Sequence, residues 1–208
     1  RCTSARPWHR AWGAPTAAPI TTCNSGVNCW KTNLTGAYSA SSTQDLVSPN
    51  LNLAGLVGPV IVTWNQKYQL ESASFDHAYV DVRQVGGATP SRLWEWYDAT
   101  MTTSLGATTI QESAGWGRYQ RDISSFAGLN TELVFHLDTD TSGQYAGLAV
   151  DDVTVTACQP VGPTFTPTAT PTNTPTPTNT PTATPSATPT ATPATCVPVN
   201  FSEGFERG

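Results

Sequence analysis

The chain has 208 residues, a formal net charge of −5 and two lysines, Lys31 and Lys67. That balance offers no basic field to a phosphate backbone, which excludes nucleic acid as a partner. No apolar run approaches the roughly 20 residues a membrane-spanning helix needs, and RCTSARPWHRAW lacks the apolar core of a secretion signal, so any signal is expected to have been removed already.

Residues 1–33 read as an irregular N-terminal arm, rich in Pro, Gly and Ala and packed on the rest through Trp8, Trp12 and Trp30. Five cysteines beside a Thr/Pro tract point to an oxidising place, extracellular or at the cell surface. Cys23 and Cys29 bracket NSGVN and are expected to form a local disulfide. A metal pair would want further Cys or His ligands, and His9 is the candidate on that side. Cys2, Cys158 and Cys196 are an odd set, which leaves one thiol free or bonded to another chain.

Residues 34–159 read as a β-sandwich. Strands are predicted at Leu46 to Leu53, Pro59 to Leu70, Ala78 to Val85, Arg92 to Tyr97, Gly117 to Ile123, Glu132 to Leu137 and Leu148 to Thr156. The clearest is PVIVTWNQKYQL, whose Val60, Val62, Trp64, Tyr68 and Leu70 alternate and should face inward. Ser124 to Leu129 could form one helical or 3₁₀ turn. Short strands with frequent turn signals and no sustained helical period give an all-β, antiparallel jelly-roll sandwich.

Residues 160–196 form a Thr/Pro-rich linker, without charge between Thr164 and Thr195. Such a composition favours polyproline II, and about 32 residues would extend on the order of 100 Å. Hydroxyls beside prolines resemble mucin-type stalks, so O-linked sugars are expected on Thr166, Thr168, Thr170, Thr172, Thr174, Thr176, Thr178, Thr180, Thr182, Thr184, Thr188, Thr190 and Thr192; a bare linker is the alternative. Sequons for N-glycosylation stand at Asn33 and Asn200. Residues 197–208 read as a C-terminal strand.

No HExxH, G-x-S-x-G or P-loop is present, and His9, His77 and His136 are far apart in sequence. Glu95 and Asp98 could be offered as a glycosidase pair, yet any β-protein of this size offers such pairs. His136, in LVFHL, reads as a strand residue. No catalytic residue is assigned, and the chain is read as non-enzymatic. Trp94 and Trp96 share a strand face and could form a glycan platform if exposed, or fill the core.

The ordered segments WKTNLTGAY, LVSPNLNL, a long strand ending YQLE, FDHAYVDV, a GGAT turn, WEW, GWGRYQRDIS, LVFHLDTD and GLAVDDVTV span residues 30–156. In that order they resemble the MAM-like jelly-roll modules of bacterial secreted and surface proteins, including immune-inhibitor-A-type peptidases and choice-of-anchor proteins. Modules of that family open with a strand of the form F-x-E-x-F-E. Here no such segment precedes Cys2, and one stands at the other end as Phe201 to Glu206.

The resemblance implies that the body lacks a strand and that the tail donates one to a neighbour, by strand addition through Asn200, Phe201, Glu203, Phe205 and Glu206. Such head-to-tail contacts build a fibril of copies of the chain. The tail could instead begin a next covalent repeat, return to its own sandwich, or be a disordered end. Because first and last strands are neighbours in that family, a Cys158–Cys196 bond between subunits would lock the joint. The resemblance also implies a structural Ca²⁺ held by Asp76, Asp151 and Asp152 with Glu203 or Glu206. The expected function is an extracellular structural subunit; the alternative is an accessory carbohydrate-binding or anchoring module of a larger secreted hydrolase.

Overall fold

The computed structural model describes residues 6–7, 12–72, 75–87, 89–95, 103–104, 110–159 and 195–199. In chain order the strands are β1 (Arg6–Pro7), β2 (Trp12–Gly13), β3 (Cys29–Lys31), β4 (Thr43–Val47), β5 (Leu51–Asn52), β6 (Val57–Glu71) and β7 (His77–Gln84). They continue as β8 (Ser91–Glu95), β9 (Thr103–Ser104), β10 (Ile110–Glu112), β11 (Gly117–Asp122), β12 (Asn130–Asp138), β13 (Gly147–Gln159) and β14 (Thr195–Pro198). A 3₁₀ turn at Ser124–Phe126 falls where the sequence predicted one.

Two sheets result. One runs β1-β4-β12-β7-β8, with β5 also on β12; the other runs β2-β3-β13-β6-β10-β9, with β11 on β6 and β14 on β13. All pairings are antiparallel except the contact of β1 with β4. Among the principal strands β3, β4, β6, β7, β8, β11, β12 and β13, one sheet holds the first, last, third and sixth. The other holds the second, seventh, fourth and fifth. That order is a jelly roll.

The alternation in β6 explains why the sandwich closes. Val60, Val62, Trp64, Tyr68 and Leu70 are fully buried, as their spacing predicts, against Leu133, Phe135 and Leu137 of β12 and Val80 and Val82 of β7. Each such side chain contributes about 1.5–3 kcal/mol by leaving water. Trp64 stacks on Tyr119 at 5.4 Å and meets the edge of Phe135 at 6.2 Å. Gln66 continues the same inward row; its amide oxygen accepts the Trp64 indole N–H at 2.7 Å, which keeps a polar side chain tolerable in the core.

The strand predicted over Leu46 to Leu53 is split into β4 and β5. Pro49 has no N–H for the ladder, and Ser48 exchanges bonds with Leu133 at 2.9 Å through its own N–H and hydroxyl. The arm is more ordered than predicted. Trp12–Gly13 pairs with β3, and β3 pairs with β13. Strands this short carry no periodic signal. Ile20 lies against Ala146 and Ala149 on the outer face of that sheet, and the Lys67 ammonium donates to the Pro19 carbonyl at 2.9 Å.

At the other end the expectation is corrected. Cys158 and Cys196 are bonded within one chain, because β14 lies antiparallel on β13 with these two residues as register partners. Gln159 and Thr195 are partners too, so the tract's ends are neighbours and its contour length is no separation between them. Cys23 and Cys29 form the expected local bond. Cys2, Trp96, Asp98, the tract threonines and the proposed donor residues Asn200 to Glu206 lie outside the described residues. Among the described residues no helix is long and apolar enough to cross a membrane.

Candidate functional site

The outer face of the β4-β12-β7-β8 sheet carries a cross-strand array. Burying Leu133, Phe135 and Leu137 inward turns Val134 and His136 outward. Register then sets Asp45, His136, Tyr79 and Glu95 in one row across four strands, and Val47, Val134, Asp81 and Arg92 in the next. The His136 ring nitrogen Nδ1 lies 2.5 Å from Asp45 Oδ1. His136 stacks on Tyr79, with centroids 4.2 Å apart and planes at 16°. The Arg92 guanidinium carbon lies 3.7 Å from the centroid of the Tyr79 ring. Arg92 donates to Asp81 at 2.5 Å and also to Glu95. Arg83 donates through Nε to Glu132 at 2.6 Å.

These residues line a shallow depression of about 180 Å³ made by Asp45, Tyr79, Asp81, Arg83, Gly87, Pro90, Val134 and His136. Asp81 is 6 % exposed. Burial first, then the charges of Asp81 and Asp45, raise the Tyr79 phenol and keep it a hydrogen-bond donor. No single residue here announced the site, since it needs the register of four strands at once.

A second grouping is acidic. Glu71 at the end of β6, Asp76 before β7 and Asp140 after β12 bring carboxylate oxygens within 4.8 Å of one another. Asp76 is 0 % exposed and Glu71 7 %. The Tyr38 hydroxyl donates to Asp76 and accepts the Glu71 N–H at 3.1 Å; the Asp140 N–H donates to Asp76 at 3.0 Å. Burial raises the Asp76 carboxyl. Burial, with the charges of Asp140 and Asp76, raises that of Glu71. Gly143, at φ +75°, is required beside them, because a Cβ there would lie 2.2 Å from Glu71 Oε2.

Of the residues expected to hold a metal, Asp76 belongs to this cluster and Asp151 and Asp152 do not. Those two anchor the disulfide loop. The Ser25 N–H donates to Asp151 at 2.9 Å, and the Asn24 amide, the Ser25 hydroxyl and the Asn65 amide donate to Asp152 at 2.6, 2.5 and 3.1 Å. Asp152 sits at φ 49°, where β13 slips register between Asp151 and Thr154. Glu203 and Glu206 lie outside the described residues. Glu71 and Asp140 were missed; their signal is only that each ends or follows a strand.

Other readings are altered by burial. Trp94 is 3 % exposed, packed 5.8 Å from Tyr68, which removes it as a glycan platform. Glu95 is paired with Arg92. The Asn33 amide donates to Ala37 O at 2.8 Å while its carbonyl accepts the Thr35 N–H at 3.2 Å, so a sugar on Asn33 would cost the first bond. His77 is exposed at the start of β7.

No family model matches the chain. It is similar to bacillopeptidase F of Bacillus subtilis (strain 168), at 29 % identity over 145 residues, 70 % of this chain and 9 % of that relative. Among solved structures it matches CBM27-1 of Caldicellulosiruptor saccharolyticus, determined with mannohexaose, at 11 % identity and a TM-score of 0.35, covering 70 % of this chain and 85 % of that one. The chain thus spans less than a tenth of bacillopeptidase F.

Proposed function

We propose that the chain is a non-catalytic accessory module of a larger extracellular hydrolase, and that it binds carbohydrate or anchors its host. The observation carrying this reading is the bacillopeptidase F match, which takes in 70 % of this chain but 9 % of the relative. A jelly roll with its own core is the kind of unit that can be appended to a larger enzyme. Two disulfides suit an oxidising location. O-linked sugars on the tract threonines Thr166 to Thr192 would suit it too, and an intact mass equal to the bare chain would remove them. Ca²⁺ is the cation whose hard-oxygen preference fits Glu71, Asp76 and Asp140, and its charge would relieve their mutual repulsion. The test of the reading is retention of the full chain on cellulose, chitin or cell-wall peptidoglycan. Passage through all three at the level of an unrelated control protein would sink the carbohydrate reading.

One observation favours head-to-tail assembly as a second reading. Because β6 takes one edge of β13, β3 and β14 share the other. β14 occupies it as far as Val199, whose N–H donates to Val155 O at 2.8 Å, and β3 takes it at Val150 and Ala149. The loop docked on Asp151 and Asp152 stands between. Little of this edge is left for a strand beginning at Asn200, so a neighbour's sheet is the better host. Light scattering on a chain lacking residues 197–208 tests it: association unchanged by the deletion rules the donor strand out.

A further inference from the structure

We propose that the depression on the β4-β12-β7-β8 face receives one residue of a neutral glycan, gripped through its hydroxyls and not by ring stacking. This rests on the accessory-module reading and assigns it a site and a ligand class.

Charge comes first. Asp81 meets Arg92 and Arg83 meets Glu132, while Asp45 is hydrogen-bonded to the His136 ring nitrogen. An anion would enter against Asp45 and Asp81, and a cation against Arg83 and Arg92. A neutral ligand disturbs none of these contacts, which matters most at Asp81, 6 % exposed, because a buried charge left without its partner is costly.

Hydrogen bonding comes second. The recorded bonds of Asp45 and Asp81 each use Oδ1, and that of Arg83 uses Nε. Each carboxylate therefore keeps Oδ2 as an acceptor and Arg83 keeps its terminal N–H groups as donors. Adjacent sugar hydroxyls both donate and accept, so they can use the two kinds of group together. Charge-assisted bonds of this type are the stronger class.

Shape comes third. The volume of about 180 Å³ is below the range of about 300–1,000 Å³ usual for drug-sized ligands and suits a single ring. Tyr79 is the aromatic residue in the lining, and it is stacked by His136 and contacted by the Arg92 guanidinium at 3.7 Å. Among the described residues the Tyr79 ring thus offers no open face to a nucleobase or apolar ring, while its hydroxyl remains able to donate.

The test is ¹H–¹⁵N NMR titration of the full chain with the methyl glycosides of glucose, mannose, galactose and N-acetylglucosamine, together with retention on the three solids above. Arg83→Ala is the diagnostic variant, since Arg83 is 40 % exposed and the loss of its ion pair with the partly exposed Glu132 should leave the fold intact. The expected result is saturable shifts at Asp45, Asp81 and Gly87 with at least one glycoside, weakened about tenfold or more in Arg83→Ala. Retention and shifts that centre elsewhere and ignore Arg83→Ala would overturn the site while leaving the carbohydrate reading standing. Shifts at these residues from a peptide mixture and from no glycoside would overturn the ligand class. No shift and no retention would overturn the site and the carbohydrate reading together.

Discussion

Two acidic groupings in this chain have opposite chemistry. Asp151 and Asp152 are adjacent in sequence, and each of their four carboxylate oxygens accepts a hydrogen bond from Asn24, Ser25, Asn65 or the Asp152 N–H. Glu71, Asp76 and Asp140 come from three separate strand ends, and their oxygens converge on one another in a buried place. Donors satisfy the oxygens of the first pair and make it a structural dock. In the second set the carboxylates face one another, and their mutual repulsion, which adds to the rise of the Glu71 carboxyl, is what a cation relieves.

Gly143→Ala should break the second grouping most severely. A methyl group would press on the Glu71 carboxylate from a backbone at φ +75°, and overpacking with strain costs about 2–4 kcal/mol. Urea unfolding gives the loss, and a variant as stable as the parent would mean Glu71 is not held where it is described.

Calcium addition comes next in size. At about 100-fold excess over Kd it should stabilise the parent by about 2.7 kcal/mol, which for a domain of this length is roughly 5–10 °C in Tm. Glu71→Gln or Asp76→Asn should abolish the response. A Tm indifferent to Ca²⁺ and to a chelator would leave the cluster without an ion.

Asp152→Gly sharpens the contrast from the other side. Glycine tolerates φ 49°, so the change isolates the loss of the bonds from Asn24, Ser25 and Asn65. The expected cost is about 1–2 kcal/mol, with the Ca²⁺ response intact. A lost response would merge the two groupings into one site.

The same contrast explains what could be read in advance. β6 was legible because its inward row repeats every second residue from Val60 to Leu70 and outweighs the single misfit, Gln66. β3 and β14 were not, since three or four residues carry no period and their pairing is decided by the free edge of β13. Asp151 and Asp152 drew attention through the family likeness, and nothing in the string shows that a loop more than a hundred residues earlier would bond them. Asp76 was visible through the same likeness, whereas Glu71 and Asp140 join it through folding. The Asp45, His136 and Tyr79 row depends on two register choices and left no local trace.

The smallest expected effect is on pH dependence. Burial raises Asp76 and Glu71 above their ordinary carboxylate values of 3.8 and 4.5, the neighbouring charges adding to the shift of Glu71, and burial likewise raises Asp151. Between those ordinary values and the raised ones the folded state keeps protons that the unfolded state has released. The stability these groups contribute is complete below the ordinary values and is lost as pH rises through the raised ones. Chelated protein should therefore lose stability as pH rises above the ordinary values of 3.8 and 4.5. Ca²⁺ binds the ionised carboxylates, so it should flatten or reverse that slope. Staying below pH 8 avoids Lys31, which burial lowers to about 8. Thermal melts across that range with and without Ca²⁺ measure the difference. Parallel slopes would mean that the raised carboxyls and the cation site are not the same groups.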